Sequence, residues 1–288
     1  MSISSKGPER HRFGVHERAV AAIGQGTWFL EQGNPGLATA TLRRGLDLGM
    51  THIDTAELYG RGTVEQLVGA AIAGRREEVF LVSKVVPEHA SRGGTMRACE
   101  ASLKRLKTDR LDCYLLHWRG EFPLVQTIEA FEQLRSDGKI RSWGVSNFAV
   151  RDLEELHEIA GDGRIVCNQV LYNLTERSIE HDVLTWCERH GVAVVGYAPF
   201  GHGAFPGPRT KGGRVLREIA AAYGATPRQV ALHFLVRRPS LFTIPKASSP
   251  GHAEENAGAL RLKLRKTDLA RIDAIFPRGR RSPDLPVL

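Results

Sequence analysis

Short apolar, β-branched runs alternate along the chain with longer stretches in which apolar residues recur at helical spacing, the pattern of strand, helix, strand. Ala21–Gly26 predicts a first strand, and Leu37–Leu48 a helix that stops at Gly49. Thr51–Asp54 predicts a second strand, and Thr63–Ile72 a helix with Thr63 as its N-cap. Strands over Val79–Val85 and Leu111–Leu116 flank a helix over Thr95–Leu106. Helices over Leu124–Ser136, Arg151–Ile159 and Ile179–Arg189 then alternate with strands over Ile140–Val145, Cys167–Leu171 and Val192–Tyr197. Asp137-Gly138 and Gly191 supply the turns at which two of those helices end. Beyond a Gly/Pro-rich loop, Gly201–Gly213, come helices over Val215–Tyr223 and Arg228–Arg237 and a last strand over Leu241–Ile244. Helices over His252–Leu260 and Thr267–Phe276 close the pattern.

About eight strand-helix units with one or two extra helices predict an α/β fold of the (β/α)8 TIM-barrel type. An open doubly wound sheet shares the local pattern but binds a dinucleotide through GxGxxG in its first turn. Here the first strand ends in Gly24-Gln25-Gly26-Thr27-Trp28-Phe29, without the third glycine, which favours the barrel.

With 42% hydrophobic residues, 288 residues are enough to bury one large core, so a single domain over residues 1–288 is expected. Met1–Arg12 is polar with no apolar stretch behind it, and no apolar run reaches transmembrane length, so a soluble, cytoplasmic protein is expected. Cys99, Cys113, Cys167 and Cys187 lie far apart without metal-ligand spacing, which points to reduced structural thiols and no metal site. The net charge of +8 raises nucleic acid as a partner. However, its clusters at Arg75-Arg76, Lys104–Lys107, Arg261–Lys266 and Arg278–Arg281 are scattered, with no recognition motif and no interleaved aromatics. They are expected to be solvated surface, which would also suit an anionic cofactor.

In a barrel, function gathers at the C-terminal ends of the strands. Asp54 and Tyr59 follow the second strand, Lys84 ends the third, and His117 ends the fourth. Each alone has a bland explanation as a cap, an anchor, a surface cation or a packed ring. Together they form a proton-transfer group. A tyrosine whose ordinary pKa is about 10 needs a neighbouring cation to exchange protons near neutrality. Lys84 can supply that charge, Asp54 can orient Lys84, and His117 can donate to a carbonyl oxygen gaining negative charge, leaving Tyr59 as general acid.

Those residues and their motifs resemble the aldo/keto reductase superfamily. The likeness runs from Gly24-Gln25-Gly26-Thr27-Trp28 through Gly138-Lys139-Ile140-Arg141-Ser142-Trp143-Gly144-Val145-Ser146-Asn147 to Ile244-Pro245-Lys246 and Glu254-Glu255-Asn256. The resemblance implies Asp54, Tyr59, Lys84 and His117 as the catalytic tetrad of an NADPH-dependent reductase, with NADH as a possible second cofactor. It also implies that Ser146, Asn147 and Gln169 hold the nicotinamide carboxamide and that Tyr197 stacks on its ring. Lys246, Ser248 and the following helix N-terminus are implied as the site of the adenosine 2′-phosphate, and Glu255 and Asn256 as adenine contacts. One departure stands out: His252 occupies the place where many members carry an arginine, so Lys246 is left with more of the phosphate discrimination.

Trp28 and Trp118 are the expected apolar walls of the substrate pocket, and short loops predict an open pocket for small carbonyl compounds. The motif set is most similar to bacterial reductases of methylglyoxal and other short aldehydes. A diketo sugar acid or another ketone is the alternative substrate, with Arg119 as the candidate cation for its carboxylate. A barrel that binds NADPH for regulation or redox sensing is the alternative from a different class. With no long apolar stripe left over, a monomer is expected.

Overall fold

The computed structural model describes residues 10–16, 18–282 and 284–288, so most of the polar Met1–Arg12 stretch lies outside the described residues. It opens with a hairpin that the hydrophobic pattern does not announce. Strands β1 (Arg10–Arg12) and β2 (Ala19–Ala21) pair antiparallel, with Arg10 opposite Ala21. Eight parallel strands follow in sequential order: β3 (Gln25–Gly26), β4 (His52–Asp54), β5 (Phe80–Val85), β6 (Leu111–Leu116), β7 (Ile140–Ser146), β8 (Ile165–Leu171), β9 (Ala193–Tyr197) and β10 (Leu241–Thr243). Bridges from Ile23 to Thr243 and from Gly26 to Lys246 join the first strand to the last and close a (β/α)8 barrel. Closure requires glycine at position 26, because a Cβ there would lie 2.4 Å from the Ile244 carbonyl oxygen.

The helices between the strands are α1 (Pro35–Asp47), α2 (Thr63–Ile72), α3 (Arg92–Leu106), α4 (Leu124–Ser136), α5 (Val150–Ala160), α6 (Val183–Arg189) and α7 (Lys211–Ala222). They continue with α8 (Pro227–Leu235), α9 (Pro250–Gly258) and α10 (Lys266–Ile275). Several starts differ from the pattern for local chemical reasons. Thr63 is the first helical residue and not the cap; Gly62, at φ 89°, takes the cap position. The first turns of α3 and α7 contain Gly93-Gly94 and Gly212-Gly213, which hide a helix from propensity. Both are rescued by hydroxyl caps, Ser91 accepting from Gly94 N–H and Thr210 from Gly213 N–H. The stretch over 179–189 divides into a 3-10 turn, Ser178–Glu180, and α6. The first predicted strand breaks up because Ala21 belongs to the hairpin and Gln25–Gly26 to the barrel.

Two apolar layers result from the alternation of side chains along each strand. Outward residues such as Ile53, Leu81, Tyr114 and Val170 pack against the helices. Inward residues, among them Phe80, Val82, Cys113, Leu115, Cys167, Val195 and Phe242, fill the barrel, and the hairpin plugs its floor with Phe13. All four cysteines are buried and unbridged. Among the described residues no helix is long and apolar enough to cross a membrane.

One polar group is caught in the floor of the barrel. His52 is fully buried between Phe13 and Phe80, at 5.5 Å from each ring, and neither of its ring nitrogens has a partner. Burial pushes its pKa down from 6.5 to about 4. The folded chain therefore resists a proton that the unfolded chain accepts, so this contribution to stability is present above pH 6.5 and is lost as the pH falls from 6.5 to about 4. Since each pKa step is worth about 1.4 kcal/mol, the loss amounts to roughly 3 kcal/mol. Urea titrations at several pH values are expected to show this acid limb and to show it flattened in His52→Leu; an unchanged limb in the variant would assign the effect to other groups.

Candidate active site

The C-terminal ends of β4, β5 and β6 lie side by side and bring three of the sequence's candidate residues together. Lys84 is wholly inaccessible to solvent, yet each of its three N–H groups is used. They go to Asp54 Oδ1 at 2.6 Å, the Thr55 carbonyl at 2.9 Å and the Tyr59 hydroxyl oxygen at 3.2 Å. Asp54 is 1% exposed and spends its other oxygen, Oδ2, on Gln169 Nε2 at 2.7 Å. Tyr59 enters this group from above, on a 3-10 turn over Tyr59–Gly62. That turn is possible because Gly60, Arg61 and Gly62 all take positive φ, with Gly62 at 89°.

The electrostatics differ from what the sequence suggests. Burial raises the Tyr59 hydroxyl above its usual range, and the Lys84 ammonium offsets this only in part, so the residue stands as a neutral phenol. Burial works against the Lys84 charge, but Asp54 and Tyr59 more than compensate and hold its pKa above the usual value. His117 lines the same cavity, its ring 5.8 Å from that of Tyr59. Burial, reinforced by Lys84, pushes its pKa down to about 2, so the imidazole is neutral. Its Nδ1 is buried without a partner.

A cavity of ≈550 Å³ opens over this cluster, within the size range of small-molecule sites. Ser146, Asn147 and Gln169 form part of its lining and already bond to one another. Ser146 Oγ donates to the Gln169 carbonyl at 2.9 Å, and Asn147 Nδ2 donates to Ser146 Oγ at 3.2 Å. The Tyr197 hydroxyl donates to Asn147 Oδ1 at 3.0 Å, and burial pushes its own pKa up to about 12. Trp28 and Trp118 are both on the wall, as expected.

Sequence reasoning missed Phe29, Leu58, Phe200, His202 and Leu288, which also line the cavity. Trp28 stacks on Phe29 at 4.3 Å and on His202 at 5.3 Å, so the wall is a three-ring stack drawn from two loops. The adjacent aromatics Trp28-Phe29 after a strand were a usable signal, whereas His202 in a glycine-rich loop gave none. Backbone strain gathers here too. Among the described residues six non-glycine positions have positive φ, and four of them, Phe29, Asn147, Ala198 and His202, line this cavity.

Of the residues implicated in holding a phosphate, Lys246 lines the cavity at its far end, with Nζ 3.5 Å from the Phe29 carbonyl. Ser248 and His252 pair through Oγ and Nδ1 at 3.0 Å beside the N-terminus of α9, which Ser249 caps. Glu255 accepts from the Thr226 hydroxyl at 2.7 Å, and Asn256 is buried on the same helix. Ser248, His252, Glu255 and Asn256 are not among the residues that line the cavity. Arg119 is a correction. Its guanidinium holds Glu155 at 2.7 and 3.0 Å and lies 3.8 Å from Asp152, so it faces α5 and offers no charge to the cavity.

A closed parallel barrel with a buried lysine–carboxylate pair and a tyrosine beneath a concave, aromatic mouth has the architecture of a barrel enzyme, whose site lies at the C-terminal ends of its strands. The family model described as "Aldo/keto reductase family" matches residues 22–276, and the chain belongs to that family of oxidoreductases. It is 42% identical over 265 residues to the methylglyoxal reductase YeaE of Escherichia coli K12, covering 90% of this chain and 92% of that protein. It is 34% identical to the glyoxal reductase of Bacillus subtilis 168, with 91% of each chain covered. Among solved structures, an aldo-keto reductase from Klebsiella pneumoniae in complex with NADPH superposes with a TM-score of 0.91 at 43% identity, over 98% of this chain and 100% of that one.

Proposed function

We propose that this protein reduces small, uncharged aldehydes and ketones, methylglyoxal among them, with NADPH, and that Tyr59 is the proton donor. One observation carries the reading. Lys84 spends its third N–H on the Tyr59 oxygen, so that oxygen is an acceptor and the hydroxyl hydrogen is left to point elsewhere, into the cavity that Tyr59 lines.

The cavity suits a nicotinamide cofactor. The half-buried Tyr197 ring offers a stacking face, Ser146, Asn147 and Gln169 offer the donors and acceptors an amide needs, and Lys246 beside the α9 N-terminus offers positive potential for phosphate. When bound, that cofactor supplies the hydride that reaches the carbonyl carbon. The chain supplies the proton: it leaves Tyr59 for the carbonyl oxygen, and the phenolate left behind faces the Lys84 ammonium, which Asp54 holds in place. An orphaned lone pair costs less than an orphaned N–H, so the partnerless Nδ1 of His117 places the ring proton on Nε2, free to donate to the same carbonyl oxygen.

The names of the two bacterial relatives support small dicarbonyl substrates, and the aromatic and aliphatic walls support uncharged ones. With Arg119 engaged by Glu155, the one lysine or arginine among the described residues lining the cavity is Lys246, which this reading gives to the cofactor phosphate, and that weighs against a diketo sugar acid. The reading is tested by following NADPH consumption with methylglyoxal, benzaldehyde and a diketo sugar acid. Turnover of the two aldehydes with little of the acid is expected; NADPH binding without turnover of any would favour a regulatory role. Lys246→Ala is expected to weaken NADPH by about tenfold or more while leaving NADH nearly unchanged, since it removes a charged phosphate contact. Equal loss for both cofactors, measured by fluorescence titration, would move the 2′-phosphate elsewhere.

A further inference from the structure

The segment that follows β5 ties the loop carrying Tyr59 to the strand end carrying Lys84. Glu57 is two residues before Tyr59, and it is stitched to β5 twice. Its backbone N–H donates to the Lys84 carbonyl at 3.3 Å, and its side-chain Oε1 accepts from the Val86 N–H at 2.9 Å. The two bonds fall on either side of Val85, at the end of the strand that carries Lys84. The same carboxylate oxygen lies 3.0 Å from His89 Nδ1, in the 3-10 turn Pro87–His89. That turn is pressed from the other side by the loop after Trp118: a Cβ on Gly120 would lie 2.4 Å from Pro87 Cβ. The His117 N–H, finally, donates to the Val85 carbonyl at 2.9 Å. Residues 85–89 thus touch the segments that carry Tyr59, Lys84, His117 and Trp118.

The Tyr59 turn holds itself by backbone bonds, Tyr59 N–H to the Ala56 carbonyl and Arg61 N–H to the Leu58 carbonyl, both at 3.1 Å. Leu58 caps it with no side-chain bond, and its interior is Gly60, Arg61 and Gly62, all with positive φ. Downstream it runs into α2, the Thr63 N–H donating to the Tyr59 and Gly60 carbonyls, and Gly60 and Gly62 pack against the side chains of Glu31 and Arg105. Upstream, the side-chain anchor nearest Tyr59 is the Glu57 carboxylate, which is 10% exposed.

We propose that Glu57 is a positioning residue for proton transfer: by bonding the Val86 N–H and His89 it fixes the Tyr59 turn against the end of β5 and so sets the Tyr59 hydroxyl on the Lys84 ammonium. The proposal rests on the reading of Tyr59 as proton donor. Misplacing a reacting group by about 1 Å costs on the order of 10²-fold in rate, and the Tyr59–Lys84 contact at 3.2 Å has no room for such a shift. The two stitches differ in kind: the backbone bond survives every substitution at position 57 except proline, whereas the side-chain bond needs an acceptor oxygen there.

The test is steady-state kinetics of methylglyoxal reduction with NADPH for wild type, Glu57→Ala, Glu57→Gln and Tyr59→Phe, with NADPH affinity and solvent isotope effect measured on each active variant. Glu57→Ala is expected to lose roughly 10- to 100-fold in kcat with KM and NADPH affinity unchanged, and to show a larger solvent isotope effect as proton transfer slows. Glu57→Gln, whose amide oxygen still accepts from the Val86 N–H, is expected to recover most of the rate. A wild-type kcat in Glu57→Ala beside an inactive Tyr59→Phe would overturn the positioning role and leave the proton donor standing. Loss of kcat and NADPH affinity together in both Glu57 variants would overturn it in favour of a plain folding role. Full turnover in Tyr59→Phe would remove the proton donor itself, and this proposal with it.

Discussion

Tyr59→Phe is expected to lower kcat for aldehyde reduction by roughly 10² to 10⁴-fold while leaving NADPH affinity at the wild-type value. Phenylalanine keeps the ring, which packs at the edge of the apolar core and stands 5.8 Å from His117 and 6.4 Å from Trp28, so the walls of the cavity are unaltered. Only the hydroxyl is lost, and with it, on the proposed mechanism, the proton that the carbonyl oxygen would receive as hydride reaches carbon. The remaining donor at the mouth, His117, is a neutral imidazole whose pKa of about 2 shows how little it is suited to change charge. It can polarise the carbonyl but is a poor source of the proton, which is why a large loss and not a partial one is expected. Stopped-flow separation of binding from turnover provides the check. A variant with unimpaired turnover would place the proton donor elsewhere, with His117 or a water as the next candidate.

Lys84→Met has the second large expected effect, and it falls on stability and activity at once. The substitution leaves the Asp54 carboxylate, 1% exposed, without its cation, and deprives the Thr55 carbonyl of its donor. Breaking a buried ion pair from one side costs about 3–5 kcal/mol because the partner charge stays buried, which for a chain of this size lowers Tm by roughly 10 °C. The double variant Asp54→Leu/Lys84→Met removes both charges and is expected to regain much of that stability, since a buried pair is often matched by apolar residues of similar volume. It is not expected to regain turnover, because the Tyr59 phenolate formed on proton transfer would face no ammonium. Calorimetry beside kinetics on the two variants distinguishes the roles. If the double variant were as unstable as the single one, the loss would come from packing and not from an isolated charge. Recovered turnover would show that the lysine charge is dispensable.

The elements most legible in the sequence were those whose period is set by burial. The runs Phe80–Val85, Leu111–Leu116 and Ala193–Tyr197 alternate between a filled barrel and a coat of helices, and that alternation is written directly as apolar residues. The cluster of Asp54, Tyr59, Lys84 and His117 was legible for a related reason: each follows a strand that could be recognised, and a barrel places successive strand ends side by side. Helix starts at Arg92, Lys211 and Pro250 were not, since glycine and proline in a first turn read as loop until a hydroxyl cap is seen to hold them.

Sequence by itself therefore determined the order of the barrel's strands and helices, the barrel class and the placing of Asp54, Tyr59, Lys84 and His117 at successive strand ends, because these follow from local period and from the adjacency of neighbouring strands. Tertiary structure alone decided what depends on residues far apart in the chain. It closed the barrel through Gly26 against Ile244. It turned Arg119 away from the cavity to Glu155, and brought His202 onto Trp28 from a loop more than half the chain away. It also fixed the protonation of the site. Whether Tyr59 and His117 stand neutral beside a charged Lys84 is settled by how much water their surroundings exclude and by distances of a few ångströms to Asp54, quantities that no residue carries in its own identity.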